Sequence, residues 1–177
     1  APPDLAVAAR FGASASGWTI VMLGVAVALS VPPLNALLHG THVVVAHAMG
    51  SLIGIDSMIL WMAFAWLLRE WAGPAHPTVR CRGIRAAVSF LDASLALFLA
   101  ALLARGLAAA SARALGPEAP DLSPVVAAFP WAMAVFGSAF ASVALWIMVL
   151  WIAVLLRTAA HEPVPTGIMD GHEKAQN

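Results

Sequence analysis

The sequence predicts an all-α membrane protein of four transmembrane helices, and three observations carry that reading. Hydrophobic residues make up 62% of the 177 residues and charged residues only 10%, whereas a soluble domain carries about 25% charge. Four mostly apolar runs are long enough to cross a bilayer, which takes roughly 20 helical residues. Only helices or closed barrels can span lipid, and these runs are too long and continuous for barrel strands. The composition also excludes disorder, a collagen-like fibre and a disulfide scaffold. Net charge is zero, with one lysine against eight arginines, so there is no basic surface for nucleic acid. The single cysteine, Cys81, lies in an arginine-rich loop and allows no intrachain disulfide.

The first helix is expected over about Ser16 to Leu37. Residues 1–17 hold one arginine and no compact basic region, so this is not a cleavable signal peptide. The chain begins at Ala1 rather than Met, which fits processing or trimming. A turn from Pro32 to Thr41 leads to the second helix, about His42 to Leu68. An arginine-rich loop precedes the third, about Ala86 to Ala110. The loop Ser111 to Ser123 leads to the fourth, about Val125 to Leu156. Residues 1–160 thus read as one transmembrane domain, and 161–177 as a polar tail with Pro and Gly. No internal repeat of useful strength is present.

Arginine placement sets the expected orientation. Arg69, Arg80, Arg82 and Arg85 crowd the middle loop, Arg157 follows the fourth helix and Arg10 precedes the first. At the opposite ends, Arg105 and Arg113 are balanced by Glu118 and Asp121. Both termini and the middle loop are therefore expected in the cytoplasm. Trp18, Trp71 and Trp131 fall near predicted span ends, where amphipathic indoles anchor.

Polar groups inside lipid are costly and mark sites by default. Most gather at the outer start of the second helix, with His39, His42, His47 and Met49, and Asp56 deeper. Each helical residue turns about 100°, so His47 and Met49 point about 200° apart. His42, Met49 and Asp56 are seven apart and share one stripe; His47 and Gly54 share another. Imidazole nitrogen and thioether sulfur are both axial ligands for haem iron. One helix with a ligand on each side can stand between two haems, and Gly54 below His47 leaves room for a flat macrocycle. The plainer reading is helix packing along Ala46, Gly50 and Gly54, with His47 hydrogen-bonded to a neighbouring helix. Asp56 needs a partner, a water cavity or a proton. Asp92 in the third helix is expected to hydrogen-bond a neighbouring helix.

The segment Pro33-Leu34-Asn35-Ala36-Leu37-Leu38-His39-Gly40-Thr41 followed by Val45-Ala46-His47 resembles the tenth helix of the nitric oxide reductase large subunit, of the haem-copper oxidase superfamily. The family pattern there reads roughly Pro-x-Asn-x-x-x-His-Gly-Thr-x-x-x-x-Ala-His-Gly-His. More weakly, Gly17 and Val21-Met22-Leu23-Gly24 resemble the ninth helix, and the last two helices fit the eleventh and twelfth in length and order. The family has twelve helices, and this chain matches only the last four. The resemblance implies a haem-carrying membrane subunit reducing NO to nitrous oxide, in a bacterial inner (cytoplasmic) membrane. It implies a larger membrane subunit with the preceding helices and a non-haem iron, and a cytochrome c subunit as electron donor.

His47 matches the proximal ligand of the high-spin haem b. Met49 stands where the family has the histidine of the low-spin haem, and a methionine ligand would raise that haem's potential. His42 lies roughly 10 Å from Met49 along the helix and would serve a haem propionate, as would His39. Asp56 has no counterpart with a role. Two alternatives remain: a subunit of a haem-copper-type oxygen reductase, or a cofactor-free structural subunit of a membrane redox complex. A stand-alone haem-b anchor would need paired ligands on facing helices.

Overall fold

A computed structural model describes residues 5–73 and 82–161. Its helices are α1 (Ala6–Ser30), α2 (Pro32–Leu38), α3 (His42–Met49), α4 (Ser57–Ala72), α5 (Arg82–Leu115) and α6 (Ser123–His161). A π-helical stretch, Gly50–Asp56, joins α3 to α4, and a short 3-10 turn, Gly116–Glu118, follows α5. The described residues contain no strand. Four helices are long and apolar enough to cross a membrane: Ala6–Ser30, His42–Trp71, Gly83–Glu118 and Ser123–Ala159. These are spans one to four, and they make the chain an all-helical, multi-pass membrane protein. Arg80, Cys81, His76, His172 and the tail from residue 162 lie outside the described residues.

The first span differs from its expected bounds at both ends. It starts at Ala6 rather than Ser16, because the alanine-rich stretch Ala6–Ala15 is strongly helix-forming. It ends at Ser30 rather than Leu37, because the residue before a proline is pushed out of the helical region. Val31 is extended, with φ −78° and ψ 117°. Pro32 then opens α2 at a position where its missing N–H costs nothing. The expected outer turn therefore contains a short helix.

His39-Gly40-Thr41 makes the next corner. Gly40 takes φ +73°, a left-handed conformation that a Cβ disfavours. Thr41 caps α3: its hydroxyl accepts from the Val43 N–H at 3.2 Å and donates to the Leu38 carbonyl at 2.7 Å. Arg113 donates to the His39 carbonyl at 3.0 Å, tying the corner to the end of α5. At the start of α6, Asp121 accepts from the Ser123 backbone N–H at 2.9 Å. That bond holds its carboxyl below the usual range. Its contribution is present above the ordinary carboxylate pKa and is lost as pH falls through the lowered value.

Packing is organised in two main layers. At the end carrying Arg10, Arg69, Arg85 and Arg157, the side chains of Phe11, Met58, Ile84, Leu91 and Ile147 are fully buried. Phe11 stacks on Trp61 at 5.9 Å, and both meet Trp151 edge-on at 6.0 and 5.3 Å. The second layer joins Met22, Ala46, Leu95, Leu99 and Leu102. Between apolar helices in lipid there is no hydrophobic drive, so close contact between small residues has to supply the attraction. Gly106 on α5 is one such point: a Cβ there would lie 2.4 Å from the Val43 backbone nitrogen of α3. Gly106→Ala is expected to force α3 off α5 and cost about 1–3 kcal/mol. Gly17→Ala, with nothing within 4 Å, is expected to be neutral or mildly stabilising. Thermal unfolding of the two variants in detergent, followed by circular dichroism, checks this contrast.

Candidate functional site

The site builds on the second span. Ala46 is 1% exposed, and Gly50 and Gly54 are also buried. A Cβ on Gly50 would lie 2.2 Å from the Met22 sulfur and 3.2 Å from a Leu99 methyl. A Cβ on Gly54 would lie 2.7 Å from the Trp18 ring. The line Ala46–Gly50–Gly54 is therefore a seam against α1 and α5. The room expected beneath His47 for a macrocycle is filled, because Trp18 occupies the space that Gly54 leaves.

Trp18 is the side chain that sequence reasoning placed differently. Its position followed from a first span starting at Ser16, which put it near the membrane surface as an interfacial anchor. With α1 starting at Ala6, Trp18 lies well inside the helix. Its indole N–H donates to Asp92 Oδ1 at 3.2 Å, and the Ser14 hydroxyl donates to the same oxygen. Asp92 thus hydrogen-bonds a neighbouring helix, as the sequence led one to expect, and both donors come from α1. Trp71 and Trp131 are 69% and 76% exposed.

Contacts along α1 fix the depth of each group. Phe11 meets Trp61, Trp18 meets Gly54, and Met22 meets Gly50. α1 and the second span therefore run antiparallel and in step, which sets Asp56 level with Ser16. Ser14 and Trp18 both reach Asp92. The two carboxylates, Asp56 and Asp92, thus share one layer in mid-span. They differ in surroundings: Asp92 is half-buried and hydrogen-bonded, whereas Asp56 is exposed on the bundle's outside without a partner among the described residues.

The remaining candidates separate. His47 sits roughly 7–8 Å below the start of α3 at 1.5 Å per residue. It is half-buried, its Nδ1 is sealed from solvent, and that nitrogen has no hydrogen-bond partner among the described residues. Met49 is 37% exposed and points out of the bundle, as do Leu52 and Ile59. His42 does not share that outlook: its ring packs edge-on against Phe129 of α6 at 5.0 Å. His39 is exposed beyond the end of α2. Among the described residues no three His, Cys, Asp or Glu side chains converge as a metal site.

The backbone changes directly after Met49. Residues Gly50–Asp56 form π-helix, a rare geometry that gathers at functional sites. Ser57 reinforces the wide turn, its hydroxyl donating to the Leu52 carbonyl at 3.1 Å. Two glycines in seven residues make the turn easy to widen, and Met22 and Trp18 press onto it. Of the expected seven-residue stripe, Met49 and Asp56 are both exposed, whereas His42 packs against Phe129. The sequence signal was available in the pair Gly50 and Gly54, which reads equally as a packing seam.

No protein-family model, curated protein or solved structure matches the chain.

Trp18 is expected to be the costliest side chain of this layer to remove. Trp18→Phe loses the N–H donated to Asp92, about 1 kcal/mol. Trp18→Ala also empties the space over Gly54 and is expected to cost about 3–5 kcal/mol. Chemical unfolding of the purified chain in mixed micelles ranks the two; equal stabilities would contradict the layer.

Proposed function

We propose that the chain is a haem-carrying membrane subunit of a nitric oxide reductase-like complex, equivalent to the last four helices of that fold. The observation that carries this reading is His47. It is an imidazole whose sealed Nδ1 lacks a partner among the described residues, inside a membrane span, at the position where the resemblance carried by Asn35, His39-Gly40-Thr41 and Ala46-His47 implies a haem ligand. Imidazole is a natural axial ligand for haem iron. In this reading His47 would hold one haem, and Met49 would face a second against the outer face of the span. Gly54 adds nothing to either, since Trp18 fills its space.

When bound, the iron of such a haem supplies redox chemistry, here the two-electron reduction of two NO molecules to nitrous oxide and water. This chain's own residues hold and orient. α3 is fixed by Thr41 at its start, by Gly106 at its back and by Met22 at Gly50. His47 is therefore carried on a rod with little freedom. The outward face with Met49 and Asp56 supports a larger partner subunit that covers it, since an uncovered carboxylate in hydrocarbon is expensive. The arginine bias supports both termini in the cytoplasm of a bacterial inner membrane. A non-haem iron and a cytochrome c subunit would belong to other chains.

A second reading, a cofactor-free structural subunit, is favoured by one observation. The small-residue line of the second span is wholly used by Trp18 and Met22, as in plain helix packing. The two readings separate at His47. His47→Ala is expected to abolish turnover and deplete the CO-binding haem while the subunit still assembles. Retained haem with full activity would favour the structural reading. Met49→His is expected to lower the midpoint potential of the second haem, read by redox titration; an unchanged titration makes Met49 a packing residue.

A further inference from the structure

A second place on the molecule holds unbalanced charge, away from the second span. Between α1 and α5 runs an open groove of about 660 Å³, lined by Arg10, Arg85 and Ser89 and floored by Ala6, Ala9, Ala13 and Ala86. Arg10 donates to the Ser89 hydroxyl at 2.8 Å. Neither arginine has a carboxylate partner among the described residues. The nearest acid along α5 is Asp92, about two turns from Arg85, and its Oδ1 accepts from Ser14 and Trp18. Two guanidinium groups therefore face one groove, their fork-shaped donors unmatched by any carboxylate among the described residues.

The position of the groove selects the anion. It lies at the end of the bundle that carries Arg10, Arg69, Arg85 and Arg157, one from each span, four residues into α1 and three into α5. That is headgroup depth, since both helices go on from there into apolar spans. A second groove of about 440 Å³ continues in the same seam, lined by Gly17, Val21, Ala93 and Ala96 and by the Ser14–Trp18–Asp92 contact. The alanine floor leaves the backbones close to the surface, so a flexible chain can lie along it without displacing a side chain. Guanidinium groups match phosphate oxygens in pairs, and basic pockets between helices at a membrane face are a recurrent headgroup site.

We propose that the α1–α5 groove binds an anionic phospholipid, its phosphate held by Arg10 and Arg85 and one acyl chain laid over Ala13 and Gly17. Ser89 fixes Arg10 by accepting its N–H, while its own hydroxyl donates to the Arg85 carbonyl at 3.3 Å. A zwitterionic lipid would bring its ammonium against the same two arginines and is disfavoured. The site would lock α1 to α5 at the surface, above the Trp18–Asp92 contact that locks them in mid-membrane. This inference stands apart from any haem assignment.

The test uses the full chain purified in detergent and titrated with phosphatidylglycerol, phosphatidylcholine or inorganic phosphate, with bound lipid counted by native mass spectrometry. Phosphatidylglycerol is expected to be retained in preference to phosphatidylcholine. The double variant Arg10→Gln/Arg85→Gln is expected to bind it roughly ten- to thirty-fold more weakly, from two surface cations near a headgroup. Arg157→Gln removes a cation elsewhere at the same end of the bundle and is expected to bind as the parent does. Arg85→Gln alone keeps the Arg10–Ser89 bond, and is expected to show an intermediate loss should the double variant fail to fold. Equal weakening by Arg157→Gln, no loss in Arg85→Gln, or displacement by inorganic phosphate alone at equal concentration overturns the proposal.

Discussion

The structure depends on what happens to one carboxylate in mid-membrane. Asp92 cannot be left bare in hydrocarbon, and Trp18 and Ser14 supply its hydrogen bonds. Trp18 can reach it only because Gly54 has no side chain, so the indole lies flat against the second span while its N–H points to the third. One side chain therefore ties three spans together. It also sets their vertical register, since Phe11 then falls beside Trp61 and Met22 beside Gly50. The small residues of the second span follow from this: they are where α1 presses in.

The same packing decides which face of the second span is left over. With Ala46, Gly50 and Gly54 turned inward, Met49, Leu52, Asp56 and Ile59 must turn out. His47 falls on the flank between the two, its Nδ1 sealed and without a partner among the described residues. An exposed carboxylate in hydrocarbon is costly, and the proposed haem and the proposed covering subunit both rest on this face.

The four spans were legible because length and hydropathy in lipid dominate every other signal. The ends were less so. Pro32 was visible as a break, yet the apolar count ran through it, and α2 was hidden inside what read as a turn. The alanines before Ser16 are good helix formers but only weakly apolar, so the first span was started late. That single slip moved Trp18 from the core to the surface. His39-Gly40-Thr41 illustrates another limit: the residues stand out as a pattern, but Gly40 and Thr41 serve a left-handed corner and a helix cap. The π-helical stretch left no mark beyond two glycines, and whether glycine makes room for a cofactor or for a neighbour's indole is decided by the neighbour. Asp92 could be read correctly because a carboxylate at that depth has few options.

The most direct test of the central claim, that the second span carries haem on a face completed by other chains, is a reduced-minus-oxidised visible spectrum with a haem-to-protein count on the intact complex isolated from its native membrane. Two b-type haems for each copy of this chain are predicted, one of them binding CO or NO when reduced. A complex that contains the chain at full occupancy but no haem would contradict it and leave a structural subunit packed around Trp18.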